Sequence, residues 1–279
     1  MSNKTYIIAE LGINANGDTK LAKELIDNAK ESGCNAIKLQ KRTIELVYTE
    51  KELDAPRQSP WGTTNRQQKE GIEFSIEQYK ELESYINSKG LDFIVSCWDI
   101  NSVDLIEANC NVKYHKVASA LLTDKAFLEK LNATGKPVVL STGMSTEEEI
   151  EAALSVLTNV EYILACTSTY PTKDEEMNLR HIITLKANYP NLKVGFSNHS
   201  SGMMGCFGAV ALGAELVEFH ITKDRTMYGS DQAASIEHPV KLVEGIRKME
   251  TLLGDGRKIV FETEKPIAKK LRKTNSVLA

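Results

Sequence analysis

The chain has 279 residues, of which 42% are hydrophobic and 26% are charged, so it holds enough apolar material for one large core and is not a disordered chain. With 34 basic against 38 acidic residues its formal net charge is -4, which gives no general attraction for nucleic acid or for an anionic membrane. No apolar run approaches the roughly 18 residues of a membrane-spanning helix, and the first residues lack the basic and apolar regions of a signal peptide. We therefore expect a cytoplasmic protein with no nucleic-acid or membrane partner.

The cysteines are odd in number and scattered, and no pair has CxxC spacing: Cys34, Cys97, Cys110, Cys166 and Cys206. This pattern predicts neither a disulfide framework nor a zinc site. We expect buried, inert thiols.

Short apolar runs alternate with amphipathic stretches along the whole chain. The first βαβ unit consists of TYIIAEL at 5–11, the helical LAKELIDNAKESG and NAIKLQ at 35–40. Further strands are predicted at 91–96, 112–118, 136–142, 160–167, 192–197 and 214–220, each with a helical stretch after it. Several helices end on a glycine that fits a left-handed cap before the next strand: Gly33, Gly90, Gly135 and Gly213. The pattern predicts eight parallel strands alternating with helices.

Such an alternation fits either a closed barrel or a doubly wound open sheet, and periodicity alone does not choose between them. In a barrel, chemistry gathers at the carboxyl ends of many strands, whereas an open sheet concentrates it at one switch point. Here polar residues fall in or just after the strand ends all along the chain: Glu10, Lys38, Gln40, Ser96, Lys116, Ser119, Ser141, Ser168, Ser197, His199 and His220. We therefore predict an α/β fold with a single (β/α)8 TIM barrel at 1–262 and a tail or linker remnant at 263–279.

Two histidines lie at the ends of the last two predicted strands, His199 in GFSNHS and His220 in EFHITKD. Neighbouring barrel strands bring their imidazoles close, and such a pair with open positions suits a divalent metal such as manganese, zinc or iron. The alternative is that each is a satisfied polar residue at a strand end. We favour the metal site.

Lys38 and Lys116 lie within predicted strands, where a lysine facing an apolar core would be severely desolvated. An anionic ligand would resolve this, and Ser119, Ser141 and Ser197 could add donors to a phosphate or carboxylate. The alternative is that the lysines extend to solvent and the serines cap helices. Elsewhere, Ser145 and Glu148 are predicted to form a capping box, which leaves Ser141 as the site candidate in that stretch.

Carboxylates mark two more candidate positions. Glu10 ends the first strand and is a candidate acid/base group or sugar-hydroxyl acceptor. Asp231, in the loop after the last strand, could serve the same polyol ligand. Tyr170 is a further candidate lining residue, although a tyrosine before proline also fits an ordinary turn.

Taken together, the motifs identify a family resemblance. The chain resembles the bacterial sialic acid synthase family over essentially the whole barrel, through IIAELGINANGD, AIKLQ, KVAS, GKPVVLSTGMS, CTSTYPT, GFSNHSSG, GAVALGAELVEFHIT, GSDQAAS and the terminal EKP. The resemblance implies a transferase that condenses phosphoenolpyruvate with an acylamino hexose resembling N-acetylmannosamine, assisted by a divalent metal, Mn²⁺ or Mg²⁺. It also implies a homodimer.

By this resemblance His199 and His220 match the metal-binding pair, and the phosphoenolpyruvate site comprises Lys38, Lys116, Ser119, Ser141 and Ser197. The sugar-contacting positions are Glu10, Gln40, Tyr170, Glu218 and Asp231, and Ser168 stands where some members have asparagine. The alternatives are a related synthase acting on another aldose or a phosphorylated aldose, and a non-catalytic homologue that binds a sugar phosphate.

Two departures concern the sugar. Ala15 replaces a common histidine, and Leu121 stands where many members carry a carboxylate. The resemblance implies that the barrel is usually followed by an antifreeze-like domain that covers the partner's sugar site, whereas we expect 263–279 to be only a tail or linker remnant. We therefore expect the unusually long 41–73 segment to be a partly ordered lid whose Arg57 and Arg66 cover the mouth; the alternative is a separate capping protein.

Overall fold

A computed structural model of the protein describes residues 4–273. Eight parallel strands close into a barrel, and this confirms the predicted TIM barrel. The barrel strands are β1 (Tyr6–Glu10), β2 (Ala36–Lys41), β5 (Asp92–Cys97), β6 (Tyr114–Val117), β7 (Val138–Ser141), β8 (Val160–Cys166), β9 (Lys193–Asn198) and β10 (Leu216–His220). Around the barrel they pair in the order β1-β10-β9-β8-β7-β6-β5-β2.

Helices pack around the barrel after each strand. They are α1 (Thr19–Ser32), α5 (Ile76–Ser88), α6 (Ile100–Asn109), α7 (Lys125–Ala133), α8 (Glu147–Val156), α9 (His181–Asn188), α10 (Met204–Ala211) and α11 (Pro239–Leu253). Gly33 ends α1 with a φ of 88°, and its N–H donates to the carbonyls of Ala29 and Lys30, the cap that we predicted there. The predicted capping box lies one residue further along, because Thr146 and Glu149 form it and Ser145 donates to the Gly143 carbonyl.

The interior of the barrel is built in layers by the period-two alternation of its strands. Its lower layers are apolar, with Ile8, Ala36, Tyr114, Val139 and Leu216 packed together at under 7% exposure. Their sequence neighbours, such as Ile7 and Ile37, belong to the separate core between barrel and helices. Positions two residues further along the same strands therefore form the top inner layer, and these positions are polar.

The segment at 41–73 is folded, with α2 (Ile44–Val47), α3 (Glu50–Leu53), an antiparallel hairpin of β3 (Pro56–Ser59) and β4 (Gly62–Thr64), and α4 (Asn65–Ile72). Capping boxes start α3 at Thr49 and α4 at Thr64. We call residues 41–73 the lid segment. It contains more secondary structure than we predicted.

After α11 the chain continues through a short helix, α12 (Lys265–Leu271), which buries none of its residues. Residues 254–273 are almost entirely exposed; the rest of the predicted tail, 274–279, lies outside the described residues. Within residues 4–273, no helix has the length and apolar character needed to cross a membrane.

Candidate functional site

The polar top layer of the barrel lines a cavity at the carboxyl ends of the strands. Eleven of the predicted site residues line it: Glu10, Lys38, Gln40, Lys116, Ser119, Ser141, Ser168, Tyr170, Ser197, His199 and Glu218. The remaining two predicted site residues are adjacent, because His220 contacts Glu10 and Asp231 lines a second cavity beside the first. The structure thus brings all the predicted positions to one end of the barrel; their individual roles are predictions.

Two lysines and two glutamates form an ion-pair cluster in this layer, and each is at most 3% exposed. Lys38 Nζ lies 2.7 Å from Glu10 Oε1 and 3.6 Å from Glu218 Oε2. Lys116 Nζ lies 3.4 Å from Glu218 Oε1 and donates to Ser141 Oγ at 2.7 Å. The lysines therefore have carboxylate partners within the chain, so their burial does not by itself require the anionic ligand that we expected.

The two lysines differ in how burial and charge balance. Burial lowers the pKa of Lys116 below the usual lysine range, only partly offset by Glu218. For Lys38 burial also acts downward, but Glu10 and Glu218 together raise its pKa above the ordinary value. Burial alone would raise the pKa of Glu10, yet His220 and Lys38 hold it well below the usual range, so this carboxylate is ionised.

The serines surround a close backbone approach at Gly143. Ser119 Oγ accepts a hydrogen bond from the Gly143 N–H at 3.0 Å. A Cβ added at Gly143 would lie 2.2 Å from Ser168 Oγ and 2.8 Å from Ser119 Oγ, so only glycine leaves this part of the cavity open. Gly143 was not predicted from the sequence, because the side chains that require a glycine there are distant along the chain.

The two histidines stand side by side, with ring centroids 5.4 Å apart. His199 Nδ1 lies 2.7 Å from the Thr167 carbonyl, which can only accept, so Nδ1 carries the proton and the Nε2 lone pair faces Tyr170 Oη at 2.9 Å. His220 Nε2 lies 3.2 Å from Glu10 Oε2. Both ring nitrogens of His220 are buried without a hydrogen-bond partner among the described residues.

This donor set fits a divalent cation, because an unpaired imidazole, a second imidazole whose Nε2 lone pair accepts from the Tyr170 hydroxyl and an ionised carboxylate lie together. Within residues 4–273, however, no group of three His, Cys, Asp or Glu side chains is arranged to hold an ion by itself. A cation here would therefore need further ligands from substrate or water.

Cys166 departs from the expectation of buried, inert thiols. The other four cysteines are buried, whereas Cys166 is partly exposed and its Sγ lies 3.7 Å from both Ser119 Oγ and His199 Nδ1. Burial would raise its pKa, but His199 and Lys116 lower it below the usual range. It occupies a top-layer position two residues beyond Leu164, and this period-two placement could have identified it.

A second cavity opens beside the first, and Gln40, Trp98 and Tyr170 line both. The lid segment forms much of its wall through Arg42, Ile44, Tyr48, Lys69, Ile72 and Glu73, and Asp231 and Ser230 lie on the loop side. Trp98 was not predicted from the sequence, although it follows β5 directly at a strand end.

The two arginines that we expected to cover the mouth do not line either cavity. Arg66 Nη2 pairs with Glu50 at 2.5 Å, inside the lid segment. Arg57 Nε donates to Tyr228 Oη at 3.1 Å, which ties the lid to the loop after β10. Those assignments were therefore wrong, because nearby acceptors on the chain engage both guanidinium groups; Arg42 occupies the cavity wall instead.

Leu121 stands at the position where many members of the resembled family carry a carboxylate. It is partly buried and packs against the core outside the barrel. It is not among the residues that line either cavity. Its neighbours Ser119 and Ala120 do line the first cavity.

Comparison with known proteins identifies the chain's relatives. The NeuB family model matches residues 25–258. The chain is 37% identical to a mouse N-acetylneuraminate-9-phosphate synthase, and the match covers 96% of this chain and 77% of that protein. It is 33% identical to an N,N'-diacetyllegionaminic acid synthase of Legionella pneumophila, and the match covers 96% of this chain and 79% of that protein. A solved N-acetylneuraminic acid synthetase from Leptospira borgpetersenii superposes with a TM-score of 0.83 at 30% identity, covering 98% of this chain and 94% of that one.

Proposed function

Because the chain belongs to the NeuB family, we propose that it condenses phosphoenolpyruvate with an acylamino aldose resembling N-acetylmannosamine. The products are a nine-carbon 2-keto sugar acid and inorganic phosphate. The observation that carries this proposal is the arrangement of Lys38 and Lys116 beside His199 and His220 in one buried layer. Such a layer offers an anion site and an electrophile site next to each other.

Phosphoenolpyruvate would bind on the lysine side of the cavity. Lys116 and Ser141, already joined by a 2.7 Å hydrogen bond, present an ammonium and a hydroxyl, and Ser119 with the Gly143 backbone provides polar groups opposite. An arriving phosphate or carboxylate would compete with Glu218 for both lysines, and a charge-assisted contact in this dry layer is strong. Ser197, which donates to Glu218 at 2.9 Å, holds that carboxylate in place.

The aldehyde would lie on the histidine side. We propose that His199 and His220 hold a divalent cation, Mn²⁺ or Mg²⁺, with Glu10 beside them. When bound, that cation would supply Lewis-acid polarisation of the aldehyde oxygen. Tyr170 contacts His199 and, with Gln40 and Asp231, is available to the sugar hydroxyls.

The reaction then balances as follows. The methylene carbon of phosphoenolpyruvate forms a C–C bond to the aldehyde carbon, whose oxygen takes a proton and becomes a hydroxyl. Water adds to the cationic carbon that carries the phosphate and loses one proton. The resulting tetrahedral species breaks its C–O bond to phosphate, its hydroxyl proton passes to the departing phosphate, and a ketone remains. Lys38 and Lys116 stabilise the phosphate throughout, and the ionised Glu10 can accept a proton but not donate one.

A non-catalytic sugar-phosphate-binding role fits the site less well. Phosphate binding alone would use the lysines but would leave His220 buried without hydrogen-bond partners among residues 4–273, an arrangement that costs free energy. A synthase acting on another aldose, or on a phosphorylated one, uses the same chemistry and differs only at the sugar end.

The test is release of phosphate by the purified chain from phosphoenolpyruvate, with Mn²⁺ and a panel of acylamino hexoses. We expect release that requires both the sugar and the metal. Absence of release with every aldose, with and without metal, would overturn the proposal.

A further inference from the structure

The second cavity extends the first toward the lid segment. Because Gln40, Trp98 and Tyr170 line both cavities, an acceptor whose aldehyde lies near His199 can extend its further carbons into the second cavity. In that orientation the walls of the second cavity would contact the end of the acceptor that is remote from the reacting carbon.

The lid side of this cavity carries an excess of positive charge. Arg42 Nη1 lies 3.9 Å from Glu73 Oε2, and Glu73 Oε1 also pairs at 3.0 Å with Lys41 Nζ, which does not line the cavity. One carboxylate thus serves two cations. Lys69 adds a third positive charge; its Nζ lies 4.7 Å from the centroid of the Tyr48 ring, and it forms no ion pair with any carboxylate in residues 4–273.

Arg42 is held in a fixed position with donor capacity to spare. Its side chain is 9% exposed, its guanidinium stacks 4.6 Å from the centroid of the Trp98 ring, and Nη2 donates to Gln40. Its Nη1 lies 3.9 Å from Glu73 Oε2 and makes no hydrogen bond within residues 4–273. A guanidinium nitrogen with unused donors at the cavity wall can bind an anionic group.

The remaining carboxylate of the cavity lies on the opposite wall. Asp231 Oδ2 is 3.7 Å from His220 Nδ1, and Asp231 Oδ1 accepts from Ser230. The cavity is therefore polarised, with an acceptor for hydroxyls near the histidines and two lining cations, Arg42 and Lys69, at the lid.

From this polarity we propose that the acceptor carries an anionic group at the end remote from its aldehyde, bound by Arg42 and Lys69. The inference rests on the proposed function for its orientation. A phosphate monoester and a carboxylate share the required chemistry, since both accept the planar fork of arginine and the point charge of lysine. A neutral terminal hydroxyl would leave Lys69 without a counter-charge.

Calorimetric binding of matched sugars to the full chain tests this directly. The probes are N-acetylmannosamine, its 6-phosphate and the corresponding 6-carboxylate. We expect one anionic sugar or both to bind tighter than the neutral sugar by about ten- to a hundredfold, the scale of one or two hydrogen bonds to a charged group. The tighter of the two anions identifies the source of the charge.

Two variants locate the binding, since a sugar phosphate could also occupy the Lys38 and Lys116 site. In Lys69→Gln and in Arg42→Gln the advantage of the anionic sugar should fall about tenfold, whereas Lys51→Gln on exposed α3 should keep it. Lys69 is only half-buried, so its variant keeps the test valid if Arg42→Gln fails to fold.

Equal affinities for neutral and anionic sugars would overturn the inference, as would an anionic preference that survives both lid variants. Phosphate release from phosphoenolpyruvate is measured separately. If the chain turns over the neutral sugar and shows no anionic preference, the proposed function is right and this inference is wrong. If the chain prefers the anionic sugar through Lys69 but never consumes phosphoenolpyruvate, this inference is right and the proposed function is wrong.

Discussion

At the scale of single residues, Lys116 shows most directly how burial and a neighbouring carboxylate act in opposite directions on the pKa of a lysine. It is 3% exposed, and it faces Ser141 and Glu218 in the cavity. We predict that Lys116→Ala weakens phosphoenolpyruvate binding by about 2–3 kcal/mol, the rough scale for truncating one partner of a buried charge contact. Calorimetry measures this, with Lys113→Ala on the opposite face of the barrel as the control; an unchanged dissociation constant would refute the role.

The same residue predicts a pH dependence of binding. Burial lowers the pKa of Lys116, and an anionic ligand favours the protonated form, so affinity is full below that pKa and falls as the pH rises through it. The fall in phosphoenolpyruvate affinity should therefore begin below pH 10.5, the model value for lysine, while Lys38, whose pKa is raised, stays charged. Measuring the dissociation constant from neutral to alkaline pH checks this. If Lys116→Ala shows the same fall in affinity, the fall comes from another group.

For the histidines we predict separable functions. His199→Ala and His220→Ala should each abolish turnover and leave phosphoenolpyruvate affinity nearly unchanged, because the imidazoles face the aldehyde side and the lysines face the phosphate. His181→Ala, which removes a partly exposed partner of Glu147 outside the site, is the matched control. Near-normal turnover of either site variant in metal-stripped buffer would show that the metal assignment is wrong.

Most of the polar layer could be predicted from the sequence, because a lysine or glutamate at a strand end conflicts with simple hydrophobic burial and so stands out. Cys166 and Gly143 could not be found that way. A cysteine is compatible with a core, and the function of a glycine depends on which side chains surround it in space. The capping box shifted by one residue because Ser145 and Thr146 are both acceptable N-caps and only the helix start distinguishes them.

At the scale of elements, the lid segment determines how the second cavity closes. Trp61, at the turn of the hairpin, contacts Tyr228 at a centroid distance of 5.5 Å, and Arg57 donates to the same tyrosine. The Trp61 ring also lies against Gly71 of α4. The lid is therefore joined to the loop after β10 at Tyr228, through an aromatic contact and a hydrogen bond.

We predict that Gly71→Ala loosens this contact. The new Cβ would lie 2.1 Å from Trp61 Cγ, so the indole must shift from its present position against Tyr228. The KM for the sugar should rise about tenfold, the size of a lost contact worth 1–2 kcal/mol, with phosphoenolpyruvate affinity hardly changed.

Steady-state kinetics with both substrates varied measures this effect. The control is Gly202→Ala, whose added Cβ meets only Ser200 Oγ at 3.7 Å. If Gly71→Ala saturates with sugar as the parent does, the lid does not contribute to sugar binding.

The hairpin of the lid could not be predicted from the sequence. PRQS and GTT are short, polar and half-exposed strands, so they lack the apolar alternation by which strands are recognised. Their pairing depends on the contacts of Trp61 with residues that are distant in sequence. The eight barrel strands, by contrast, carry buried apolar runs and were predicted to within two residues at each end.

At the scale of the whole molecule, closure of the barrel was predictable because polar residues mark nearly every strand end. The pairing of β2 with β5 across the lid segment follows from that closure, although about fifty residues separate the two strands. No local sequence pattern predicts the position of residues 254–273, because these residues are almost entirely exposed.

We expect the chain to form a homodimer. Leu252, Val260, Phe261, Ile267 and Leu271 are each more than half exposed, and an exposed set of large apolar side chains is typical of an interaction surface. Light scattering after size exclusion should give twice the 31.0 kDa of one chain. Phe261→Ser should shift the equilibrium toward monomer and Ile183→Ser on α9 should not; a monomeric parent at all concentrations would contradict the expectation.

If this barrel joins the three carbons of phosphoenolpyruvate to an aldose, mass spectrometry will detect the joined product. After incubation with phosphoenolpyruvate, Mn²⁺ and either N-acetylmannosamine or its 6-phosphate, we expect a new species whose mass equals that of the sugar plus pyruvic acid, with one phosphate released per molecule formed. The species should be absent with His220→Ala. Release of phosphate with only free pyruvate and unchanged sugar would refute the proposed condensation, because it would mean that the site hydrolyses phosphoenolpyruvate without forming a carbon–carbon bond.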